Sequence, residues 1–147
     1  MLPPVQIRPA IPADAAALTA MFEAWGHPQP AEVIEERLRT WAETPLAQVL
    51  VAERDGRVAG LAAVSATPHL ARPGRFARVA GLAVHHDHRR RGVATALMRA
   101  AEDVARGWGC DRLELTSTRS RAEAPAFYAA LGYEDQSGRQ ARYVRPL

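Results

Sequence analysis

The segment from Phe76 to Thr118 constrains this chain more than any other: FARVAGLAV, then HHDHRRRG, then VATALMRAAEDVARGWG, then, after Cys110, DRLELTST. The outer pieces have the character of strands. Between them Val93, Leu97, Ala101, Val104 and Trp108 recur at the i, i+4, i+7 spacing of one buried helix face. Gly107-Trp108-Gly109 supplies the stop. A strand–helix–strand crossover of this kind belongs to domains in which helices pack on a sheet. Its helix starts on the wrong charge. The first turn exposes unpaired N–H groups and the positive end of the helix dipole, where Asp or Glu is expected. Here it is preceded by Arg89, Arg90 and Arg91.

The flanking sequence supplies the rest of a mixed domain. VQIRPA predicts a strand with Val5 and Ile7 on one face. ADAAALTAMFEAW predicts a helix capped by Asp14, with Leu18, Met21, Phe22 and Trp25 on its apolar side. A second helix is expected over Glu32 to Trp41, and QVLVAERDGRVAGLAAVSA predicts a hairpin, because Asp55-Gly56 favours a tight turn between two apolar runs. TPHLARPGR is a loop by composition. AEAPAFYAAL predicts a last helix that stops at Gly132, and YEDQ and ARYVRP a closing antiparallel pair. The order is βααβββαβαββ, an α+β class with a mainly antiparallel sheet. At 147 residues, 48% of them hydrophobic, the chain has enough material for one core and too little for two, so a single domain over 1–147 is expected.

Charge and cysteine content narrow the setting. A lone Cys110 forms no internal disulfide, and no opening stretch combines basic residues, an apolar run and a cleavage site, so a cytoplasmic location is expected. No apolar run approaches the ~20 residues of a membrane span. The net charge of +3 is largely arginine, which forks phosphate oxygens bidentately.

A strand that runs into a short turn and a helix start presents successive backbone N–H groups, a seat for phosphate or pyrophosphate. Gly92 lets backbone approach the anion, Ala94 is nearly as slim, Thr95 adds a hydroxyl, and the arginines add charge. The plainer reading is a solvated basic turn. The pattern RRRGVA, Arg89 to Ala94, resembles the R/Q-x-x-G-x-G/A signature of the GCN5-related N-acetyltransferases (GNAT). RAEAPAFYAALGY is similar to that family's closing A-x-x-(F/L)-Y-x-x-x-G-(F/Y) segment, and IRPAIPADAAAL to its usual start. With the central segment the resemblance covers nearly the whole chain, and it includes small-molecule members such as the aminoglycoside type.

The resemblance implies a fold and a set of roles. The fold is a single GNAT-like α+β domain with a splayed central strand pair and flanking helices. Leu82, Ala83 and Val84 match residues whose backbone pairs with the pantetheine arm of acetyl-coenzyme A as an added strand would. Arg89, Arg90, Arg91, Gly92, Val93, Ala94 and Thr95 match the pyrophosphate loop. Tyr128 matches a tyrosine that protonates the departing thiolate, its pKa of ~10 suiting a thiol; read structurally, it is a core aromatic beside Phe127. Arg121, where many members carry asparagine, faces a coenzyme phosphate or water. Acetyl-coenzyme A is the implied co-substrate, with no metal. The implied partner is a small-molecule or peptide amine, with no nucleic acid or membrane and with a homodimer left open.

One departure stands out. The position matching a glutamate that many members use as general base holds Ala80. Glu114, His85 and His69 are the nearby ionisable residues, and none is assigned the role. Trp25, His27 and Trp41 fall on the acceptor side of the family, where aromatic spacing also fits core packing. Glu23, Glu32, Glu35 and Glu36 are diluted by Arg37 and Arg39 and read as a solvated face. Two other functions stay in view: an acyl-coenzyme A binding domain without catalysis, which Ala80 allows, and a nucleic-acid module using the arginine turn. The latter would want basic residues spread along a face.

Overall fold

Among the described residues, five strands form one sheet in the order β1 (Gln6–Pro9), β2 (Ala47–Arg54), β3 (Arg57–Pro68), β4 (Arg75–Val84) and β5 (Cys110–Glu114). Neighbours pair antiparallel except β4 and β5, which are parallel because α3 (Val93–Gly107) carries the chain across between them. The chain is seen in a computed structural model that describes residues 4–117 and 122–147. These gather into two compact units, Met1–Leu115 and Thr116–Leu147.

In the first unit the hairpin forms as its sequence predicts. Asp55 and Gly56 both take positive φ, 53° and 70°, the combination a type I′ turn requires. Two helices, α1 (Ala15–Ala24) and α2 (Ala31–Glu43), bury Leu18, Met21, Ile34 and Leu38 in one cluster with Val51 of β2 and Leu61 of β3. Fully burying each such aliphatic side chain contributes about 1.5–3 kcal/mol. The α3 helix buries Val93, Leu97, Met98, Ala101 and Ala105. Val104 and Trp108, expected in that stripe, are only half-buried: Val104 lies toward the stripe's edge, and Trp108 follows the end of the helix as its cap. Gly60 permits the close docking of α3, since a Cβ there would sit 2.9 Å from the Ala83 carbonyl oxygen and 3.0 Å from Leu97.

Asp14 does not cap α1 with its side chain. Its carboxylate is taken instead by the Arg8 guanidinium, at 2.7 and 2.9 Å, and by the Ile11 N–H at 2.8 Å. Arg8 also forks Glu53 at 2.8 Å, so β1, β2 and the start of α1 meet on one charged group. The hydrogen bond from Arg8 holds the Asp14 carboxyl below the ordinary carboxylate range. A lowered folded-state pKa gives stability that is present above the unfolded value of ~3.9 and is lost as pH falls through the folded value. Asp14→Asn is expected to cost about 2 kcal/mol at pH 7. It should also flatten the fall in melting temperature below about pH 4, read by calorimetry across pH.

The second unit carries α4 (Ala124–Ala130), which ends where Gly132 takes φ 97°. The expected closing strand pair is not formed: YEDQ and ARYVRP are irregular among the described residues. Asp135 accepts the Ser137 N–H at 2.9 Å and Arg139 N–H reaches the Gln136 carbonyl at 3.0 Å, so the turn closes. No ladder follows. After Tyr133 the first segment is Glu-Asp-Gln with no apolar face to bury, and Pro146 removes a donor from the second. The observed order is therefore βααβββαβα. No described helix is long and apolar enough to cross a membrane.

Candidate functional site

The site begins where β4 gives out. After Val84 the chain makes a short 3₁₀ turn over His86–His88, turns again through Arg89 to Gly92, and enters α3 at Val93. Two residues of that turn are left-handed, Arg90 at φ 59° and Gly92 at φ 81°. Glycine takes this conformation freely, whereas for arginine it costs on the order of 1 kcal/mol, a strain found mostly at ligand sites and switches. The first helical bond runs from the Ala96 N–H to the Gly92 carbonyl at 3.0 Å. The N–H groups of Val93, Ala94 and Thr95 therefore precede any helical acceptor. Gly92 offers no side-chain cap, and the first turn holds no acid.

The surroundings suit an anion. Arg89, Arg90, Arg91 and Thr95 are exposed, and a Cβ built on Gly92 would meet nothing within 4 Å. Open approach, free helical donors and cationic side chains fit a pyrophosphate group. Beneath the turn lies Arg54, only 3% exposed, which donates from Nη2 to the Arg91 carbonyl at 2.7 Å. Its Nε and Nη1, and Nδ1 of His88, are buried without a hydrogen-bond partner. Burial first, then the nearby His85, Arg54 and Arg91, hold the His88 pKa below the usual histidine value. Nothing local in the sequence marks Arg54, because next to a hairpin turn an arginine looks like an ordinary surface residue.

A second element of the site is a strand edge that is open among the described residues. β5 was expected over DRLELTST, yet it ends at Glu114, and its last registered partner on β4 is Arg78. β4 continues from Val79 to Val84 without β5, while Leu82, Ala83 and Val84 keep their pairing to Ala62, Leu61 and Gly60 on β3. The cause of the parting is local. The register with β3 moves from Ala63 opposite Gly81 to Val64 opposite Val79, so Ala80 is an extra, bulged residue, and a bulge bends and twists its strand. That edge leads through the His86–His88 turn into the anion turn, so both features follow from the end of one strand.

Around the bulge, Ala80 is exposed and offers no proton acceptor. Gly81 next to it supports the Trp25 ring, which a Cβ would approach to 2.4 Å. Trp25 meets Phe22 and His27 edge-on, with centroids 5.8 and 5.4 Å apart. This aromatic group lies on the sheet at the bulge, a position its helical spacing did not reveal. Of the three ionisable residues considered, His69 is committed elsewhere: its Nε2 is 3.0 Å from both Asp111 oxygens. It binds there with Arg72, at the end of β4 where the strands are still paired. That hydrogen bond from His69 is the main reason Asp111 titrates below its usual range. His85 accepts the Asp87 N–H at 3.2 Å and stacks on His86. Glu114 stands at the parting of the strands, 3.4 Å from Arg78 and 3.6 Å from Arg112. His85, His86 and Asp87 also bring ligand atoms within 4.8 Å of one another, on a mostly exposed turn.

In the second unit Tyr128 is half-buried on α4. Its ring meets Phe127 and Tyr133 edge-on at 5.0 and 6.0 Å, and its carbonyl accepts the Tyr133 N–H at 2.9 Å. The aromatic neighbour Phe127 is the one its sequence suggested. Arg121 lies outside the described residues.

Comparison with known proteins identifies the family and the fold. The model of the acetyltransferase (GNAT) family matches residues 15–133, and no curated protein matches the chain. Among solved structures, a transcriptional regulator from Bacillus halodurans C-125 is 20% identical with a TM-score of 0.86, covering 97% of this chain and 99% of that one. A ribosomal-protein-alanine N-acetyltransferase from Brucella melitensis biovar Abortus 2308 is 22% identical at 0.78, covering 98% and 99%. An aminoglycoside acetyltransferase from an uncultured soil metagenomic sample is 20% identical at 0.80, again covering 98% and 99%. These likenesses establish the shared fold, and with the family model spanning most of its length the chain belongs to the GNAT acetyltransferase family.

Proposed function

We propose that this protein transfers an acetyl group from acetyl-coenzyme A directly to a primary amine. The observation that carries the reading is the end of β4, where the edge at Leu82–Val84, unpaired among the described residues, is followed through the His86–His88 turn by the anion-suited turn at Arg89–Thr95. A phosphorylated ligand with an amide-bearing arm matches both parts. The N–H groups from Arg91 to Thr95 hold the pyrophosphate, and the arm pairs with β4 as an extra strand.

In the chemical step the amine nitrogen attacks the thioester carbonyl, an amide bond forms, and the carbon–sulfur bond breaks. An alkylammonium with a pKa of ~10.4 must lose a proton before it attacks. With Ala80 at the bulge that proton leaves through water, or to Glu114 at the parting of the strands. The thiolate takes a proton from the Tyr128 hydroxyl. Solved proteins of this fold include an aminoglycoside acetyltransferase and a ribosomal-protein-alanine N-acetyltransferase, and both classes of amine belong in an acceptor screen.

The test is amine-dependent release of the coenzyme thiol, followed over polyamines, amino acids, aminoglycosides and peptides with free N-termini. Turnover with at least one class supports the reading. Coenzyme binding without release for any class would favour the second reading that Ala80 allows, a binding domain without turnover. Replacing Arg89 and Arg90 together with alanine is expected to weaken acetyl-coenzyme A binding about 10-fold at low salt and to flatten its salt dependence. Titration calorimetry at several ionic strengths reads both. Unchanged affinity at every ionic strength would take those two side chains out of the site.

A further inference from the structure

Among the described residues two charged groups are buried, Asp14 and Arg54, and only Asp14 has an ion-pair partner. An arginine almost fully removed from water is normally paired with a carboxylate, because burying an unpaired charge costs several kcal/mol. Arg54 has no such partner among the described residues; its one bond is from Nη2 to the Arg91 carbonyl at 2.7 Å, and Nε and Nη1 make none. Its position explains what this can achieve. Arg54 ends β2 beside the Asp55-Gly56 turn, yet its head group reaches the peptide that joins Arg91 to Gly92. A trans peptide is planar with its N–H pointing opposite to its C=O. Fixing the Arg91 carbonyl on the buried guanidinium therefore turns the Gly92 N–H the other way, out of the protein. It also holds the turn in which Arg90 and Gly92 are both left-handed.

We propose that Arg54 is a positioning residue for anion binding: acting through the Arg91 carbonyl, it aims the Gly92 N–H at the pyrophosphate and places an unneutralised positive charge under it. The inference rests on the proposed binding of coenzyme A at this turn and adds to it a buried residue from a different hairpin. Loss of the guanidinium frees the peptide to rotate and removes the charge. Lysine keeps the charge but not the planar fork.

The experiment compares the parent protein with Arg54→Met and Arg54→Lys. It measures the coenzyme A dissociation constant by calorimetry, the melting temperature without ligand, and the rise in melting temperature produced by inorganic pyrophosphate. Arg54→Met is expected to bind coenzyme A about 30-fold more weakly, the loss typical of one charge-assisted contact, and to lose the pyrophosphate-induced rise. Arg54→Lys is expected to recover most of that loss and to stay within about 5-fold of the parent, since its amino group still donates to the Arg91 carbonyl. A role confined to packing would lower the melting temperature and leave the dissociation constant in place. Coenzyme A affinity of Arg54→Met within 3-fold of a binding parent would overturn the inference, and so would Arg54→Lys as weak as Arg54→Met. If Arg54→Met does not fold, Arg54→Lys decides alone: affinity more than about 10-fold below the parent contradicts the role assigned to the charge. Failure of the parent itself to bind coenzyme A would bring down the proposed site, and the inference with it.

Discussion

Gly92→Glu is expected to abolish coenzyme binding in a protein that still folds. Two effects act at this residue, and they differ in size. The backbone at φ 81° is one that side chains adopt at a cost of about 1 kcal/mol, worth only a few degrees of melting temperature in a chain this long. Nothing lies within 4 Å of the new Cβ, so no clash is added. The carboxylate, in contrast, arrives where the helix dipole and the first N–H groups attract anions. It satisfies those donors itself and repels the phosphates. Affinity should fall by about 100-fold or more, since a charge-assisted site is both blocked and reversed in sign. Gly92→Ala shares the backbone cost without the charge and shows how much of any stability loss is conformational. Calorimetric titration with acetyl-coenzyme A, next to a melting curve for each variant, reads the two effects apart. A folded Gly92→Glu protein with parental affinity would remove the turn from the site.

The second large effect is expected at Tyr128. Phenylalanine preserves the edge-on packing with Phe127 and Tyr133 and deletes only the hydroxyl. If that hydroxyl protonates the thiolate, turnover drops on the order of 100-fold while coenzyme affinity hardly changes, the pattern of an interaction made in the transition state. If the ring merely packs, phenylalanine keeps kcat within a few-fold of the parent. In that case alanine does the damage, through a cavity worth about 3 kcal/mol. Steady-state kinetics with the best acceptor, and unfolding midpoints for both variants, separate these outcomes. Near-parental turnover in Tyr128→Phe assigns the proton to water.

Much of this architecture is written locally. The Asp55-Gly56 hairpin, the crossover helix with its arginine-rich entry, and the helix stop at Gly132 follow from turn chemistry and periodicity within a dozen residues. What the sequence hides depends on distant partners. Asp14 has every mark of a helix cap, yet Arg8 outcompetes the helix N–H groups for its carboxylate. Ala80 is recognisable as a missing glutamate, but its place in a bulge is set by the register of β3 against β4, which no single strand encodes. Arg54 looks like a surface residue until the fold buries it under a turn 37 residues away. His69 resembled a candidate base until Asp111 claimed its ring. The final segment misled in the opposite sense: aromatic and β-branched residues suggested strands, but Tyr143 and Val144 are exposed and pair with nothing among the described residues.

If β4 and the turn after it bind one ligand along their length, a crystal structure of the protein with coenzyme A will show the contact. The pyrophosphate is expected against the N–H groups of Arg91 to Thr95 and the pantetheine amides paired with the backbone of Leu82 to Val84. Coenzyme A bound elsewhere, or an arm that leaves that strand edge unpaired, would contradict it.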